Sequence, residues 1–175
     1  MVKIAVFFAD GTEELEGITP VDLLKRCEGA FVDTVSVCGK SITTSHGVLI
    51  TPDKTVDEVD LLSYDALVIP GGMPGATNIA ACKKVSEAIE NAEKSGKLVA
   101  AICASPAVVL ASQGFFRGKK LTCYPAPAFI EMLKNNDYTA ADVEVDGNLI
   151  TANGPKSAFM FAKAICEYLN LTPKF

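Results

Sequence analysis

Short, almost wholly apolar runs that alternate with helical patterns are the feature that most constrains this fold. Three such runs are VKIAVFF at 2–8, ALVIP at 66–70 and KLVAAI at 97–102. A strand can be apolar throughout only when both of its faces are covered, which is typical of parallel sheets with helices on each side. The sequence therefore predicts an α/β fold with a mostly parallel sheet and, at 175 residues, a single domain over 1–175.

Local signals place the other elements. A helix is predicted over 12–28, with Thr12 as its N-cap and a kink or restart at Pro20. The remaining predictions are strands at 31–38, 48–51 and 119–123, helices at 84–95, 105–113, 127–135 and 156–169, and a hairpin over 143–152.

Composition limits the partners and the compartment. The net charge is −5 and no basic stripe is present, which argues against nucleic-acid binding. No apolar run approaches the ~18–20 residues that cross a bilayer, so no membrane association is expected. The six cysteines lie in apolar patterns without a CxxC pair, and the chain has one histidine. Free thiols, a cytoplasmic location and no metal site are therefore expected.

Three segments are expected to meet at one edge of the sheet. In open α/β sheets, ligands bind beyond the carboxyl ends of the strands. Residues 9–12, 70–75 and Cys103 each follow one of the three apolar runs directly. The topology therefore predicts that these segments, distant in sequence, form one crevice.

Cys103 is the strongest candidate for a reactive residue. It follows a buried strand without a spacer and precedes Ser105-Pro106, a typical helix start. This context resembles a nucleophile elbow, although Ala101 and Ser105 stand where that motif has glycines. A thiol at a helix N-terminus is expected to have a lowered pKa. The alternative is a buried structural cysteine.

Other candidates in the crevice have ordinary alternatives. Gly71 and Gly72 could form a backbone anion nest or simply end a strand. Glu13 and Glu14 could be solvated acids of a first helical turn, and periodicity leaves the direction of Glu16 open. His46 is interpreted as a loop residue from its position alone, and Cys123 and Tyr124 as residues of the crevice or of a strand end. The remaining cysteines are interpreted as structural: Cys27, Cys38, Cys82 and Cys166.

Five segments together make the chain resemble the ThiJ/PfpI superfamily, and within it the parkinsonism-associated deglycase branch. They are GTEELEGITPVDLLKR at 11–26, VIPGGMPGATN at 68–78, AAICASPAVVLAS at 100–112, LTCYP at 121–125 and TANGPKSAFMFA at 151–162. The resemblance implies one class I glutamine amidotransferase-like domain, a flavodoxin-like three-layer sandwich that forms a homodimer and uses no cofactor.

The resemblance also implies roles for individual residues. The family's active cysteine falls on Cys103, and its protonated partner carboxyl falls on Glu16. The backbone nest falls on Gly71 and Gly72, completed by the amide of Ala104. A site-lining arginine near the dimer contact falls on Arg26. Cys123 and Tyr124 are expected to line the site as well.

Three positions depart from the family pattern. Tyr124 stands where many members place a histidine base, and a tyrosine with a pKa near 10 is a poor base at neutral pH. His46 occupies a position often held by arginine. Ala104 replaces the histidine that follows the cysteine in protease-type members, so a peptidase or an amidotransferase is not expected.

Two functions from different classes follow from the resemblance. The first is a cysteine-dependent enzyme that acts on small reactive aldehydes, methylglyoxal or glyoxal, or on the groups they glycate. The second is a non-enzymatic redox sensor or chaperone, in which Cys103 is oxidised to a sulfinate that Glu16 stabilises. In that case Cys123 could act as a resolving thiol. A third alternative is hydrolysis of small amides.

Overall fold

A seven-stranded sheet organises the chain. The computed structural model describes all residues, Met1–Phe175. In their order across the sheet, the strands are β10 (Val143–Asp146), β11 (Leu149–Ala152), β7 (Leu98–Ile102), β6 (Ala66–Ile69), β1 (Val2–Phe8), β2 (Ala30–Ser36) and β5 (Lys54–Thr55). Every neighbouring pair is parallel except the hairpin of β10 and β11. The predicted mostly parallel sheet and the predicted hairpin are confirmed.

The central strands are apolar because each faces two layers. In β1, Ala5 and Phe7 pack into one buried cluster, whereas Ile4, Val6 and Phe8 pack into a second cluster on the other side. All five residues of β7 and all four of β6 are buried. Alternate side chains of a strand point to opposite faces, so a run without polar residues needs cover on both.

Helices supply that cover. The second cluster contains residues of α1 (Glu14–Lys25) and α5 (Ala158–Tyr168), and the first contains residues of α2 (Gly75–Ala80) and α3 (Lys83–Ser95). Helix α4 (Pro127–Met132) packs against the first cluster through Phe129 and Ile130. The helices therefore lie on both faces of the sheet, as predicted. None of them combines the length and the apolar character that crossing a membrane requires.

The start of α1 differs from the prediction. Glu13, rather than Thr12, is the N-cap, because its carboxylate accepts a hydrogen bond from the Glu16 N–H at 2.9 Å. The Thr12 hydroxyl instead accepts from the Ala9 N–H at 3.0 Å, which tightens the turn after β1. The helix also continues through Pro20 instead of restarting there.

The segment after Cys103 also differs. Ser105 was predicted as an N-cap, but it has helical dihedrals and makes no capping hydrogen bond. Pro106–Leu110 form a π-helical turn and Ala111–Gln113 a 3-10 turn, in place of a regular helix over 105–113. π-helical turns are rare and often accompany functional sites.

Several peripheral elements are shorter than predicted. Residues 119–123 contribute only β8 (Lys120–Leu121), which pairs with β9 (Asp137–Tyr138) outside the main sheet. Residues 48–51 contribute β4 (Leu49–Ile50), which forms a separate two-stranded sheet with β3 (Ile42–Thr43). Helix α4 ends at Met132 rather than at residue 135. Before α5, residues 155–157 form a 3-10 turn.

Candidate active site

Cys103 lies on a strained turn at the end of β7. Its φ is +66°, in the left-handed region that side chains with a Cβ rarely adopt. Two hydrogen bonds hold this backbone: the Cys103 N–H donates to the Ala152 carbonyl at 2.9 Å, and the Tyr124 N–H donates to the Cys103 carbonyl at 2.8 Å. Strain of this kind persists only where the surrounding structure fixes it, and it is common at functional sites. The elbow context predicted for Cys103 is present.

Glu16 reaches the same point from the first turn of α1. Its side chain is fully buried, and Oε2 accepts a hydrogen bond from the Gly71 N–H at 2.8 Å. Gly71 lies between this carboxyl and the cysteine. A Cβ added at Gly71 would be 2.6 Å from both Glu16 Oε2 and Cys103 Cβ, so only glycine fits there.

The loop of Gly71 and Gly72 is fastened on two sides. The Glu13 N–H donates to the Gly71 carbonyl at 3.0 Å, and a Cβ on Gly72 would be 2.4 Å from the Glu13 nitrogen. On the other side, the buried Ser105 hydroxyl donates to the Pro70 carbonyl at 2.6 Å. The loop therefore ties the start of α1 to the turn that carries Cys103.

The Glu16 carboxyl can hold a proton near neutral pH. Burial raises its pKa from 4.5 to about 7, the charge of Glu13 adds to this, and interactions with Cys103 and the Gly71 N–H oppose it. Although the thiol is close enough to affect this pKa, no Cys103–Glu16 hydrogen bond meets ordinary distance and angle limits. Oε1 of Glu16 is buried without a hydrogen-bond partner. A buried oxygen without a donor favours the protonated acid, because a lone charge there is poorly solvated.

The lowered pKa expected for Cys103 is not what the structure gives. Burial and the neighbouring Glu16 raise the pKa of Cys103 to about 12, and the backbone N–H groups of Gly72 and Ala104 only partly offset this. The expected lowering rests on the helix start alone, whereas burial of the thiol and the nearby Glu16 carboxyl act in the opposite direction. Two adjacent negative charges repel, so the state in which either Glu16 or Cys103 is ionised is favoured over the state in which both are. When Glu16 is protonated, its charge no longer opposes ionisation of the Cys103 thiol.

The predicted backbone nest divides into two parts. The Gly71 N–H is committed to Glu16, whereas the N–H groups of Gly72 and Ala104 interact with the sulfur of Cys103. Two donors therefore act to lower the pKa of the Cys103 thiol, and one donor orients its carboxyl partner. An anion that develops next to the sulfur would find the Gly72 and Ala104 donors already in place.

The expected lining residues have different positions. Tyr124 joins the site through its backbone, and its half-exposed ring lies against Gly154, where an added Cβ would be 3.3 Å from the ring. Cys123 is fully buried in the first cluster, its thiol donates to the Tyr124 carbonyl at 3.3 Å, and burial raises its pKa to about 11. Cys103 packs against the second cluster, so the two thiols face different parts of the core.

Arg26 is not at this site within the chain. It follows the last turn of α1, ten positions after Glu16, which corresponds to about 15 Å along the helix axis. There its guanidinium lies 3.2 Å from the Asp22 carboxylate and over the ring of Phe175. Within one chain Arg26 therefore does not contact Cys103, and its expected position near the dimer contact stays a prediction.

A polar cluster beside the site was missed by the sequence analysis. His46 Nδ1 lies 2.9 Å from Glu14 Oε2 and 3.8 Å from Glu13 Oε1. The hydroxyls of Thr44 and Ser45 also donate to Glu14. Although burial acts to raise it, these hydrogen bonds lower the pKa of Glu14 to about 2. Carboxylates and an imidazole can bind a metal ion, but both carboxylate oxygens of Glu14 already accept hydrogen bonds within the chain. Contacts 30 or more residues apart carry no local sequence signal.

Comparisons with known proteins agree with this geometry. The model of the DJ-1/PfpI family matches residues 2–168. Protein DJ-1 homolog B of Arabidopsis thaliana is 39% identical over 167 residues, which are 94% of this chain and 37% of that protein. The chain thus spans about two fifths of the length of the Arabidopsis relatives it matches. The zebrafish Parkinson disease protein 7 homolog is 36% identical over 170 residues, 95% of this chain and 89% of the relative.

Solved structures give the same result. Oxidised Toxoplasma gondii DJ-1 superposes with a TM-score of 0.90 at 36% identity, over 97% of this chain and 91% of that one. Drosophila melanogaster DJ-1beta superposes with a TM-score of 0.89 at 36% identity, over 96% and 90% of the two chains. The expected flavodoxin-like fold is confirmed. On the extent of the family match and of these similarities, the chain belongs to the DJ-1/PfpI family.

Proposed function

We propose that this protein is a cysteine-dependent stress-response protein that detoxifies small reactive dicarbonyls such as methylglyoxal or glyoxal. One observation carries the proposal: a buried carboxyl with a pKa of about 7, that of Glu16, lies beside Cys103 on its strained turn. An acid that titrates near the working pH can both give and take a proton. A thiol that a neighbouring base can deprotonate is a nucleophile for carbonyl carbon.

The first step is addition of the sulfur to the aldehyde. Ionised Glu16 accepts the thiol proton as Cys103 Sγ forms a bond to the aldehyde carbon of methylglyoxal. The carbonyl π electrons move to the oxygen, which becomes an alkoxide. The N–H groups of Gly72 and Ala104, which already favour negative charge on the sulfur, stabilise that charge. Glu16 then gives the thiol proton to the alkoxide, which forms the hemithioacetal and leaves Glu16 ionised for the next step.

The second step moves a proton between adjacent carbons. Glu16 removes the hydrogen from the former aldehyde carbon, giving an enediolate, and returns that proton to the neighbouring carbon, while the hydroxyl proton moves to the former ketone oxygen. The product is a thioester of lactate on Cys103. Water then attacks the thioester carbon, the carbon–sulfur bond breaks, and lactate leaves with the thiol restored. No oxidant or cofactor is needed, because the net reaction is methylglyoxal plus water to lactate.

Glu16 is the acid–base group of this scheme because the alternative position holds a tyrosine. The half-exposed ring of Tyr124 rests on Gly154, and an ordinary phenol does not act as a base at neutral pH. One carboxyl must therefore serve several proton transfers in sequence. We expect turnover to be slow and to depend wholly on Glu16. Apparent repair of glycated groups would then reflect removal of free dicarbonyl.

The test is formation of lactate from methylglyoxal by purified protein. Wild-type protein should form lactate above background, and Cys103→Ala and Glu16→Gln should abolish it. Cys38→Ala is the matched control, because Cys38 is an exposed thiol without a role in the proposed reaction and its removal should leave the rate unchanged. Lactate formation that persists in Cys103→Ala, or none in the wild type, contradicts the enzymatic proposal.

A second function, sensing of peroxide, is favoured by the unpartnered Oε1 of Glu16. Oxidation of the Cys103 thiol by two peroxide molecules gives a sulfinic acid and two waters. Protonated Glu16 could donate to a sulfinate oxygen and so satisfy the buried group. Graded peroxide should add two oxygens to Cys103 before any other cysteine, and Glu16→Gln should change the yield of that product. Earlier oxidation of Cys38 or Cys123 counts against this function.

A homodimer is the assembly that we propose for either function. Leu15 and Ile18 lie exposed on α1, next to the exposed Val48 of the β3–β4 hairpin, and together they form an apolar groove. Ile18→Glu should convert a dimer to a monomer in sedimentation equilibrium. Val145→Glu, at an exposed apolar position on edge strand β10, is the control and should leave the mass unchanged. A wild-type monomer contradicts the assembly.

A further inference from the structure

Two thiols far apart in sequence meet in the core, away from Cys103. The sulfurs of Cys27 and Cys166 lie 3.8 Å apart although the residues are 139 positions apart in the chain. Cys27 directly follows the C-terminal end of α1, and Cys166 lies in α5. Both are buried. The reactions assigned to Glu16 and Cys103 do not use either thiol.

The two thiols have few other polar contacts and lie within hydrogen-bond distance of each other. The Cys27 thiol has one further partner, the Leu23 carbonyl at 3.5 Å. Burial, followed by the effect of Cys27, raises the pKa of Cys166 to about 12. A disulfide needs sulfurs about 2.05 Å apart. Closure therefore requires an approach of about 1.8 Å, which rotation of two short side chains can provide.

A cavity borders one member of the pair. Cys166 borders a cavity of about 410 Å³ that is also lined by Leu23, Phe159 and the C-terminal residues 171–173 and Phe175. These C-terminal residues cross over Cys27, with Pro173 paired to it as an isolated bridge. The cavity is large enough to admit a molecule of the size of hydrogen peroxide, and Cys166 is one of its lining residues.

We propose that Cys27 and Cys166 form a redox-active dithiol that closes to a reversible disulfide between the end of α1 and α5. With hydrogen peroxide as the oxidant, the sulfur of one thiol attacks a peroxide oxygen. The O–O bond breaks, water leaves and a sulfenic acid forms. The second sulfur then attacks the sulfenic sulfur, the S–O bond breaks and a second water leaves. Each sulfur loses one electron, and the two peroxide oxygens gain them.

The disulfide has a predictable mechanical effect. It joins two helices across a separation of 139 residues, and cross-links that close long loops remove much of the freedom of the unfolded chain. Helix α1 also carries Glu16 at its other end, so the bond fixes the helix that presents this carboxyl. The proposal does not depend on the chemistry of Cys103, and either can fail without the other.

The test is peptide mapping of protein treated with hydrogen peroxide under native conditions. Trypsin leaves Cys27 and Cys38 in one peptide, 27–40, so Cys38→Ala is used as the parent to make the assignment unique. After alkylation of the remaining thiols in denaturant, peptide 27–40 should be found joined to 164–174 with the loss of two hydrogens. Dithiothreitol should release it. Cys123, an equally buried single thiol, should remain alkylated and serves as the internal control.

A stability measurement accompanies the mapping. The cross-linked protein should melt about 10 °C higher than its reduced form, and the variant that also carries Cys166→Ala should show neither the cross-link nor the peroxide-induced rise. Full alkylation of both cysteines after treatment, separate sulfinic acids on each, a cross-link that forms only in denaturant, or a lower melting temperature would each overturn the proposal.

Discussion

Replacing Glu16 by glutamine should make the protein more stable at alkaline pH, although it removes a group of the proposed mechanism. Glutamine keeps the shape and the carbonyl oxygen that accepts from Gly71, but it cannot ionise. In the wild type, the folded-state pKa of Glu16 is raised above that of the unfolded chain, so the folded state binds the proton more tightly. The stability that this provides is complete below pH 4.5 and is lost as the pH rises through about 7.

The size of the effect follows from the same shift. Since each pKa unit corresponds to about 1.4 kcal/mol, a rise from 4.5 to about 7 costs the folded state about 3 kcal/mol once Glu16 is ionised. The side chain is fully buried, so solvent screening does not reduce this figure much. The difference in unfolding free energy between Glu16→Gln and the wild type should therefore increase by about 3 kcal/mol between pH 4 and pH 8.

Urea unfolding at intervals from pH 4 to pH 8 measures this difference directly. The protein concentration must be the same throughout, because subunit association adds to apparent stability. Glu14→Gln is the matched control, since hydrogen bonds from His46 and others lower the pKa of Glu14 despite its partial burial. Stability from Glu14 is present above pH 4.5 and is lost as the pH falls towards 2, below most of the measured range, so this control should lack the rise of about 3 kcal/mol. A constant offset between Glu16→Gln and the wild type at all pH values would refute the reasoning.

Three further predictions concern the parts that hold the site together. Gly71→Ala should destabilise the protein by about 1–3 kcal/mol and slow alkylation of Cys103, because the new Cβ would lie 2.6 Å from the cysteine. Gly39→Ala, with open space around the added methyl group, should change neither the unfolding free energy nor the alkylation rate. Ser105→Ala should cost about 1–3 kcal/mol in urea unfolding, because it removes the 2.6 Å hydrogen bond to a buried carbonyl; an unchanged midpoint contradicts the anchoring role of that bond. Glu14→Gln should lower the pKa of His46 in an NMR titration, since the hydrogen bond that the His46 ring donates to the Glu14 carboxylate raises it; identical titration curves would show that the contact is absent in solution.

Much of the fold was predictable because its signals are local. The apolar runs of β1, β6 and β7 specify strands covered on both faces, and the structure buries all but two of their residues. Gly96, which adopts a φ of +73°, ends α3 as a C-terminal glycine should. Errors occurred where a residue had a competing long-range partner. Ser105 resembles an N-cap in sequence, but its hydroxyl is used by Pro70, 35 positions away.

The candidate site shows the same division. Chain order alone placed Cys103 directly after a buried strand, and the rule for open α/β sheets brought the segments before Thr12 and after Pro70 to the same edge. The direction of Glu16 was left open by periodicity and was supplied by the family resemblance. Within one chain the length of α1 separates Arg26 from Glu16, so the predicted position of Arg26 near the dimer contact depends on a second subunit.

The sequence by itself determined the layered α/β architecture, the membership of the family and the position of the cysteine, because these depend on local pattern and order. Only the tertiary structure decided the electrostatics. Burial raises the pKa of Glu16 to about 7 and opposes ionisation of Cys103. The packing of the end of α1 against α5 places the sulfur of Cys27 next to that of Cys166. Desolvation and contact depend on what surrounds a group in three dimensions, and those neighbours come from elements far apart in the chain.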